Sequence, residues 1–426
     1  MSICVHGLGY IGLATASLFA NNGHDVTGFD VDDELIDQLR DGEPTINEAE
    51  METYVTQALS NGLTVSGAAV RADYHLVCVP TPYDHETEQA VLSYVEQAGQ
   101  NIADKLRPND TVVLESTVPP GTTTGLFAQT LGQSGHTPGQ DFQLGYTPET
   151  VMPGNTVTEL QTNDRIVGGI DRESTESITA LYDRATDGTI YEAPDPTTAE
   201  FVKLAQNAAR DVEIAYANTL ALLANDYDIE PREAIDLANT HRRVDILDPG
   251  PGVGGHCLPV DPLFFSRRSN AADLIDCARA VNDRMSEYVI ETLTETLGTL
   301  TNATVAVFGV AYKGNVSDTR NSPGLAIANS LDRVTMPQSP VADGGSVNTQ
   351  VRIHDPHVDE STVELRSLDE AVTDADAIVI AAGHDEFKRL DPEHIGQQLA
   401  RKVVVDSVDV LDHNQWTKHG FEVVGL

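Results

Sequence analysis

The stretch Ser2-Ile3-Cys4-Val5-His6-Gly7-Leu8-Gly9-Tyr10-Ile11-Gly12-Leu13 decides the fold of the N-terminal half. A short strand-forming run meets glycines spaced as GxGxxG, and a helical pattern follows over 13–22. Each glycine has its own task in a dinucleotide-binding turn. Gly7 permits the tight turn, Gly9 lets backbone approach a pyrophosphate, and Gly12 lets the helix pack close to the sheet. The helix N-terminus, on which Tyr10 and Ile11 lie, offers N–H groups and partial positive charge to the phosphates. Asp30 ends the next apolar run, where a carboxylate binds ribose hydroxyls. Asp32 and Asp33 follow, with no Arg nearby to receive a 2′-phosphate, so the expected cofactor is NAD.

Outward from this turn the same alternation recurs. Apolar runs at Ser2–His6, Asp25–Phe29, 75–79 and 111–115 read as buried parallel strands, and Thr304–Phe308, 351–354, 377–381 and 402–405 repeat the pattern. The fold class is therefore α/β, with two doubly wound Rossmann-like parallel-sheet domains. Between them 197–225 is strongly helical, with Phe201, Leu204, Ala205, Ala208, Val212 and Ala215 as one apolar stripe. Such a helix is roughly 40 Å long, enough to join two domains. The expected division is a dinucleotide-binding domain over 1–192, a central helical domain over 193–298 and a second α/β domain over 299–426. The run MPQSPVADGGSVNTQ at 336–350 reads as a polar surface loop. Two loops at the carboxyl edge of the first sheet, Val79-Pro80-Thr81-Pro82 and Glu115-Ser116-Thr117-Val118-Pro119-Pro120-Gly121, suit a wall around the nicotinamide.

Composition narrows the partners. The 26 basic and 66 acidic residues leave a formal charge of −40. A nucleic-acid partner needs a basic footprint, which this chain lacks. Self-repulsion of this size loosens a compact state unless salt screens it, and the Debye length falls to about 3 Å near 1 M, so a halophilic cytosol is expected. No apolar run is long enough for a membrane span. The N-terminal segment lacks the basic region of a signal peptide, and the expected location is the cytoplasm. Cys4, Cys78, Cys257 and Cys277 are widely spaced with no CxxC pair, so neither a metal site nor a disulfide framework is expected. Cys4, Cys78 and Cys277 read as small buried hydrophobes.

Cys257 differs. It sits in Pro249-Gly250-Pro251-Gly252-Val253-Gly254-Gly255-His256-Cys257-Leu258-Pro259-Val260-Asp261-Pro262, where glycines let backbone approach a substrate. A thiol beside NAD captures an aldehyde as a thiohemiacetal, whose oxidation gives a thioester that water hydrolyses. The blocks GLGYIG, VPTP, STVPPGTT, PETVMPG, NDRIVGG, EFVKLAQN, GPGVGGHCLPVDP and AYKGNVSDTRNSP occur in one order, and along nearly its whole length the chain resembles the UDP-glucose/GDP-mannose dehydrogenase family of nucleotide-sugar 6-dehydrogenases. The run YTPETVMPG…ELQTNDRIVGG is most similar to members acting on UDP-N-acetyl-D-mannosamine; UDP-glucose and UDP-N-acetylglucosamine are the alternatives. The resemblance implies a UDP-sugar substrate, two NAD-coupled oxidations of its C6 alcohol and a homodimer or higher homo-oligomer.

It also implies roles. Cys257 matches the nucleophile. Lys203 and Asn207, one turn apart on the long helix, match residues holding the oxyanion and the reacting oxygen, and Asp261 matches the carboxylate that assists proton transfer. Thr117 and Glu149 match groups around the hydrolytic water. Gly254, Lys313 and Arg320 match substrate contacts, and Arg243 matches one delivered from a neighbouring subunit. The plainer readings are a solvated ladder of Lys203, Asn207 and Asp211, and a surface pair of Arg320 with Asp318. Two other functions fit the residues less well. A two-electron 3-hydroxyacid dehydrogenase needs neither Cys257 nor a second nucleotide domain, and an NAD-sensing module leaves the 250–261 loop unexplained.

Overall fold

The computed structural model describes residues 1–44, 46, 48–152, 154–266, 269–333, 349–359 and 363–426. The chain divides into two compact units, Met1–Gln206 and Asn207–Leu426. The expected loop at 336–350 lies, up to residue 348, outside the described residues. Among the described residues no helix is long and apolar enough to cross a membrane.

In the first unit the strands are Ser2–His6 (β1), Asp25–Phe29 (β2), Thr64–Ser66 (β3), Tyr74–Val77 (β4), Thr111–Leu114 (β5), Gln143–Tyr146 (β6), Arg165–Gly169 (β7) and Ile190–Glu192 (β8). They form one sheet in the order β8-β7-β6-β5-β4-β1-β2-β3, parallel except where β7 runs against β6. From β3 to β6 this is the 3-2-1-4-5-6 order of dinucleotide-binding sheets, whose ligands lie where the order reverses, here between β1 and β4. Ile3 and Val5 pack on one face while Cys4 and His6 point to the other, and all are buried, as strands covered on both sides require. The first helix, Tyr10–Asn21, begins earlier than the pattern suggested, because Gly9 caps it and its carbonyl accepts from Leu13 N at 2.9 Å. β4 stops at Val77, short of the expected 79, as the chain approaches Pro80, which has no N–H to give.

In the second unit Thr304–Phe308 (β9), Gln350–His354 (β10), Ala377–Ile380 (β11), Val403–Asp406 (β12) and Glu422–Gly425 (β13) form a parallel sheet in the order β10-β9-β11-β12-β13. This is a 2-1-3-4-5 doubly wound sheet with its switch point between β9 and β11.

The long helix runs over Pro196–Asp226, opened by Pro at a position where its missing N–H does no harm and by Asp195, which accepts from Thr198 N at 2.8 Å. Its buried stripe is rotated from the expected one. Leu204, Ala208 and Ala215 are buried, but Phe201 is 52% exposed, and the buried line passes instead through Glu200, Lys203 and Asp211. Charge is tolerated there because partners await it. Arg279 Nη1 lies 2.5 Å from Asp211 Oδ1, and Asn282 Nδ2 donates to the same oxygen at 2.9 Å. The solvated-ladder reading therefore fails at Asp211, which is fully buried. Cys277 is also corrected: it lies exposed near the start of the Asp273–Leu297 helix.

The same network holds the glycine-rich loop. Asn218 Oδ1 accepts from Gly250 N at 2.9 Å, and Asn218 Nδ2 donates to Asn282 Oδ1 at 2.9 Å. Every side chain in this chain of bonds is buried. Replacing Asn218 with Ala strands a partly buried N–H of Gly250 and the buried side-chain carbonyl of Asn282, each worth roughly 1–3 kcal/mol when fully buried. Urea unfolding followed by circular dichroism should show Asn218→Ala less stable by about 2 kcal/mol or more. An unchanged midpoint would mean the loop is anchored elsewhere.

Candidate active site

At the switch point of the first sheet the three glycines do different things. Gly7 has φ +88°, and a Cβ there would lie 2.9 Å from Cys78 O. A Cβ on Gly12 would lie 1.8 Å from Gly7 O, so the turn closes on itself only with hydrogen at that position. A Cβ on Gly9 would meet nothing within 4 Å. That is the open approach a pyrophosphate needs, beside the N–H groups of the first helical turn. Asp30 accepts from Leu8 N at 2.6 Å through Oδ2 and from Asp32 N at 3.0 Å through Oδ1, which fixes its carboxylate beside the turn. This cradle fits NAD. Tyr10 donates through its hydroxyl to Glu48 Oε2 at 2.5 Å, and Glu48 also accepts from Gly154 N at 3.2 Å, so the helix start is tied to the PETVMPG segment. Ile11 is partly buried beside it.

The two wall loops are cross-tied. Thr81 Oγ1 donates to Thr117 O at 2.6 Å, and Ser116 Oγ donates to Val79 O at 2.7 Å, while Pro80 is exposed between them. Glu200 of the long helix, fully buried, clamps the far end of the second loop by accepting from Gly121 N at 2.5 Å and Thr123 N at 2.7 Å. Lys203, a turn further on, is 8% exposed.

Beneath these loops lies a buried charge cluster that the sequence did not announce. Arg165 Nη2 pairs with Glu149 Oε2 at 3.0 Å, both side chains being buried. Its guanidinium also lies 4.8 Å from the ring centre of Tyr182. Glu149 Oε1 accepts from Thr150 N at 2.6 Å and Val151 N at 3.0 Å, so both oxygens are oriented. Tyr182 and Thr15 donate through their hydroxyls to Glu115, and Cys78 Sγ donates to Glu115 Oε2 at 3.3 Å. Burial raises the Glu115 carboxyl, with the positive charge of Arg165 opposing it. The signal available was Arg165 in NDRIVGG, a basic residue on an otherwise apolar strand. Removing one member of a buried ion pair costs about 3–5 kcal/mol, because the other charge is left uncompensated. Arg165→Met should therefore lower the unfolding free energy by about that much in denaturant titration, and a loss below 1 kcal/mol would show that Glu149 finds another partner.

In the second unit Cys257 lies exposed at the end of the glycine loop, and its carbonyl accepts from Asp261 N at 2.8 Å, opening the short helix Asp261–Ser266. The Asp261 side chain is buried and accepts from the amide of Asn207. The loop is fastened to the AYKGNVSDTRNSP segment. Gly255 N donates to Arg320 O at 2.8 Å, Asn321 Nδ2 donates to Gly255 O at 2.9 Å, and a Cβ on Gly254 would lie 2.7 Å from Asn321 O. Gly254 is thus required for close backbone packing. Arg320 and Tyr312 stand within electrostatic reach of Cys257, and burial pushes the Tyr312 hydroxyl up to about 12. Arg320 pairs with Asp318, Nη2 to Oδ2 at 2.6 Å, as the plainer reading had it. Lys313 Nζ lies 5.8 Å from the Tyr312 ring centre. Arg243 is exposed in the single chain.

The second switch point repeats the first. Gly309 follows β9 with φ +82°, and a Cβ on Gly324 would lie 2.2 Å from Gly309 O. Asp355 follows β10 as Asp30 follows β2. It accepts from Val310 N at 2.7 Å, Ala311 N at 3.0 Å and His384 Nε2 at 3.1 Å through Oδ2, and from His357 N at 2.8 Å and Val358 N at 3.1 Å through Oδ1. Burial raises its pKa, but His384 and the backbone N–H groups outweigh that and bring it down to about 2.

An NAD-type turn on one sheet, a second nucleotide-type turn on another and a cysteine loop fastened to the latter define a nucleotide-sugar dehydrogenase. The chain belongs to the UDP-glucose/GDP-mannose dehydrogenase family, whose NAD binding, central and UDP binding domains match residues 1–186, 197–284 and 306–413. The UDP-N-acetyl-D-mannosamine dehydrogenase of Methanococcus aeolicus is 38% identical over 429 residues, covering 99% of this chain and 94% of that protein. The solved UDP-D-ManNAc dehydrogenase from Pyrococcus horikoshii is 38% identical with a TM-score of 0.90, covering 100% of this chain and 99% of that one. The UDP-N-acetyl-mannosamine dehydrogenase of Staphylococcus aureus is 35% identical with a TM-score of 0.86, over 100% of this chain and 98% of that one. The protein is an NAD-dependent dehydrogenase.

Proposed function

We propose that the chain oxidises the C6 alcohol of UDP-N-acetyl-D-mannosamine to the uronate in two NAD-coupled steps, with Cys257 as nucleophile. The full-length likeness to dehydrogenases named for that sugar carries this reading. The turn at Gly7, Gly9 and Gly12, with Tyr10, Ile11 and Asp30, holds NAD, and Pro80, Thr81 and Thr117 wall its nicotinamide. NAD, when bound, takes one hydride in each oxidation. Cys257 Sγ adds to the C6 aldehyde and gives up its proton, loss of hydride from that adduct leaves a thioester, and one water releases the acid and restores the thiol. Arg320, within electrostatic reach, favours the thiolate. Lys203 and Asn207 hold the reacting oxygen, while Asp261, fixed by the Asn207 amide, moves the proton. Glu149 and Thr117 order the water. Lys313 and Arg320 face the pyrophosphate, and Gly254 supplies backbone beside the sugar. Arg243 reaches the substrate of a neighbouring subunit in a homodimer or higher homo-oligomer.

Counting NADH per sugar tests the reaction, with two expected. UDP-N-acetyl-D-mannosamine should exceed UDP-glucose and UDP-N-acetylglucosamine in kcat/KM; a tenfold preference for either rival, about 1.4 kcal/mol, would overturn the substrate assignment. Cys257→Ser keeps the size but supplies a hydroxyl that is barely ionised, so acid formation should fall by several orders of magnitude while UDP-sugar and NAD still bind. Near-normal uronate formation would refute the thioester route.

We place the protein in a salt-rich cytoplasm on the strength of its charge of −40. Fold and rate should both rise from dilute buffer to multimolar KCl, as screening relieves self-repulsion and admits an anionic substrate. Equal circular dichroism and equal rates at both extremes would dispose of the halophilic reading.

A further inference from the structure

The face of the first sheet that carries Cys4 holds a group of side chains the dehydrogenase chemistry does not use. Cys4 and His6 are two residues apart on β1, so they share a face, and His75 on β4 is the register partner of Cys4. Cys4 Sγ and one ring nitrogen from each histidine lie within 4.8 Å of one another. All three residues are at most 1% exposed. His6 Nε2 and His75 Nδ1 are 3.0 Å apart, which leaves His6 Nδ1 and His75 Nε2 buried without a hydrogen-bond partner among the described residues. Native interiors seldom leave polar ring atoms so, and each such group calls for a reason. Apolar side chains pack around the group: Phe29, whose ring stands edge-on to His6 at 5.6 Å, with Ala69, Val70 and Ala72 of the segment between β3 and β4.

We propose that Cys4, His6 and His75 form a binding site for a soft monovalent transition-metal ion, Cu(I), that staples β1 to β4. A thiolate with two imidazoles is a donor set for soft or borderline metals. The number of ligands and the charge choose among them. Zn(II) takes four ligands in a structural site, and among the described residues no fourth His, Cys, Asp or Glu joins this group. A dication with one thiolate leaves a net positive charge in a dry interior, whereas Cu(I) with one thiolate is neutral. On binding, the Cys4 S–H bond gives its proton to solvent and an S–Cu bond replaces it, with no change of oxidation state. A neutral imidazole has a ring lone pair to give, which is the form a metal takes.

The test uses the full chain carrying Cys257→Ser and Cys277→Ser, because those exposed thiols also bind Cu(I). Anaerobic competition with bicinchoninate should show one tightly held Cu(I), and X-ray absorption should show one sulfur and two nitrogen neighbours. Adding Cys4→Ser or His75→Gln should weaken binding at least a hundredfold, and Cu(I) should raise the Tm of the parent but not of these variants. Binding no tighter than in Cys4→Ser, a shell without nitrogen, or preferential four-coordinate Zn(II) overturns the proposal. Should those variants fail to fold, the absorption spectrum of the parent decides alone.

Discussion

The position of the loop that carries Cys257 depends on a few buried side chains. Asn218 receives the N–H of Gly250, Asn282 receives Asn218, and Asp211 with Arg279 closes the series. A loop rich in glycine is entropically costly to order. Here the order comes from outside the loop, through hydrogen bonds made where water cannot compete, and so stronger than they would be at the surface. Ser286 adds one more, donating to Pro251 O at 2.9 Å, and the far end of the loop is fixed through Gly255, Arg320 and Asn321. Cys257 is therefore both exposed and held at either side, a combination suited to a nucleophile.

The parts legible in the sequence were those with a short-range physical signature. The strand, the three glycines and Asp30 lie within one continuous stretch, and periodicity alone located β1, β2, β9 and the long helix to within a residue or so. Strands β3, β6, β7, β8 and β13 were not read from the sequence; β3 and β8 are only three residues long. Long-range pairing was invisible. Nothing near Arg165 in sequence says that it neutralises Glu149, or that Tyr182 lies under its guanidinium. For the same reason the helix stripe was misassigned at Phe201: a hydropathy pattern treats Glu200 and Asp211 as outward-facing, whereas their partners, Gly121 with Thr123 and Arg279 with Asn282, stand 68 residues or more away in the chain. Asp355 had a faint local signal, an Asp directly after an expected strand, as Asp30 is after Asp25–Phe29.

Two kinds of buried charge thus coexist. The Glu149–Arg165 pair and the Asp211–Arg279 pair are neutral overall and orient neighbouring backbone or amides. Glu115 has no such dedicated cation; burial raises it, and Thr15, Tyr182 and Cys78 donate to it instead. It follows β5 directly and precedes Ser116 and Thr117, so it anchors the start of that loop in the core.

The two aspartates at the strand ends differ in one respect with a wider consequence. A carboxylate has about four lone-pair positions. Asp30 spends one donor's worth on each oxygen, so capacity remains for a hydroxyl pair. Asp355 receives Val310, Ala311, His357, Val358 and His384, and is saturated. The second sheet therefore carries a similar turn whose strand-end carboxylate is already fully used. One architecture used twice thus yields two carboxylates in matching places with unequal capacity: one keeps acceptor positions in reserve, and the other has spent them all on its own chain.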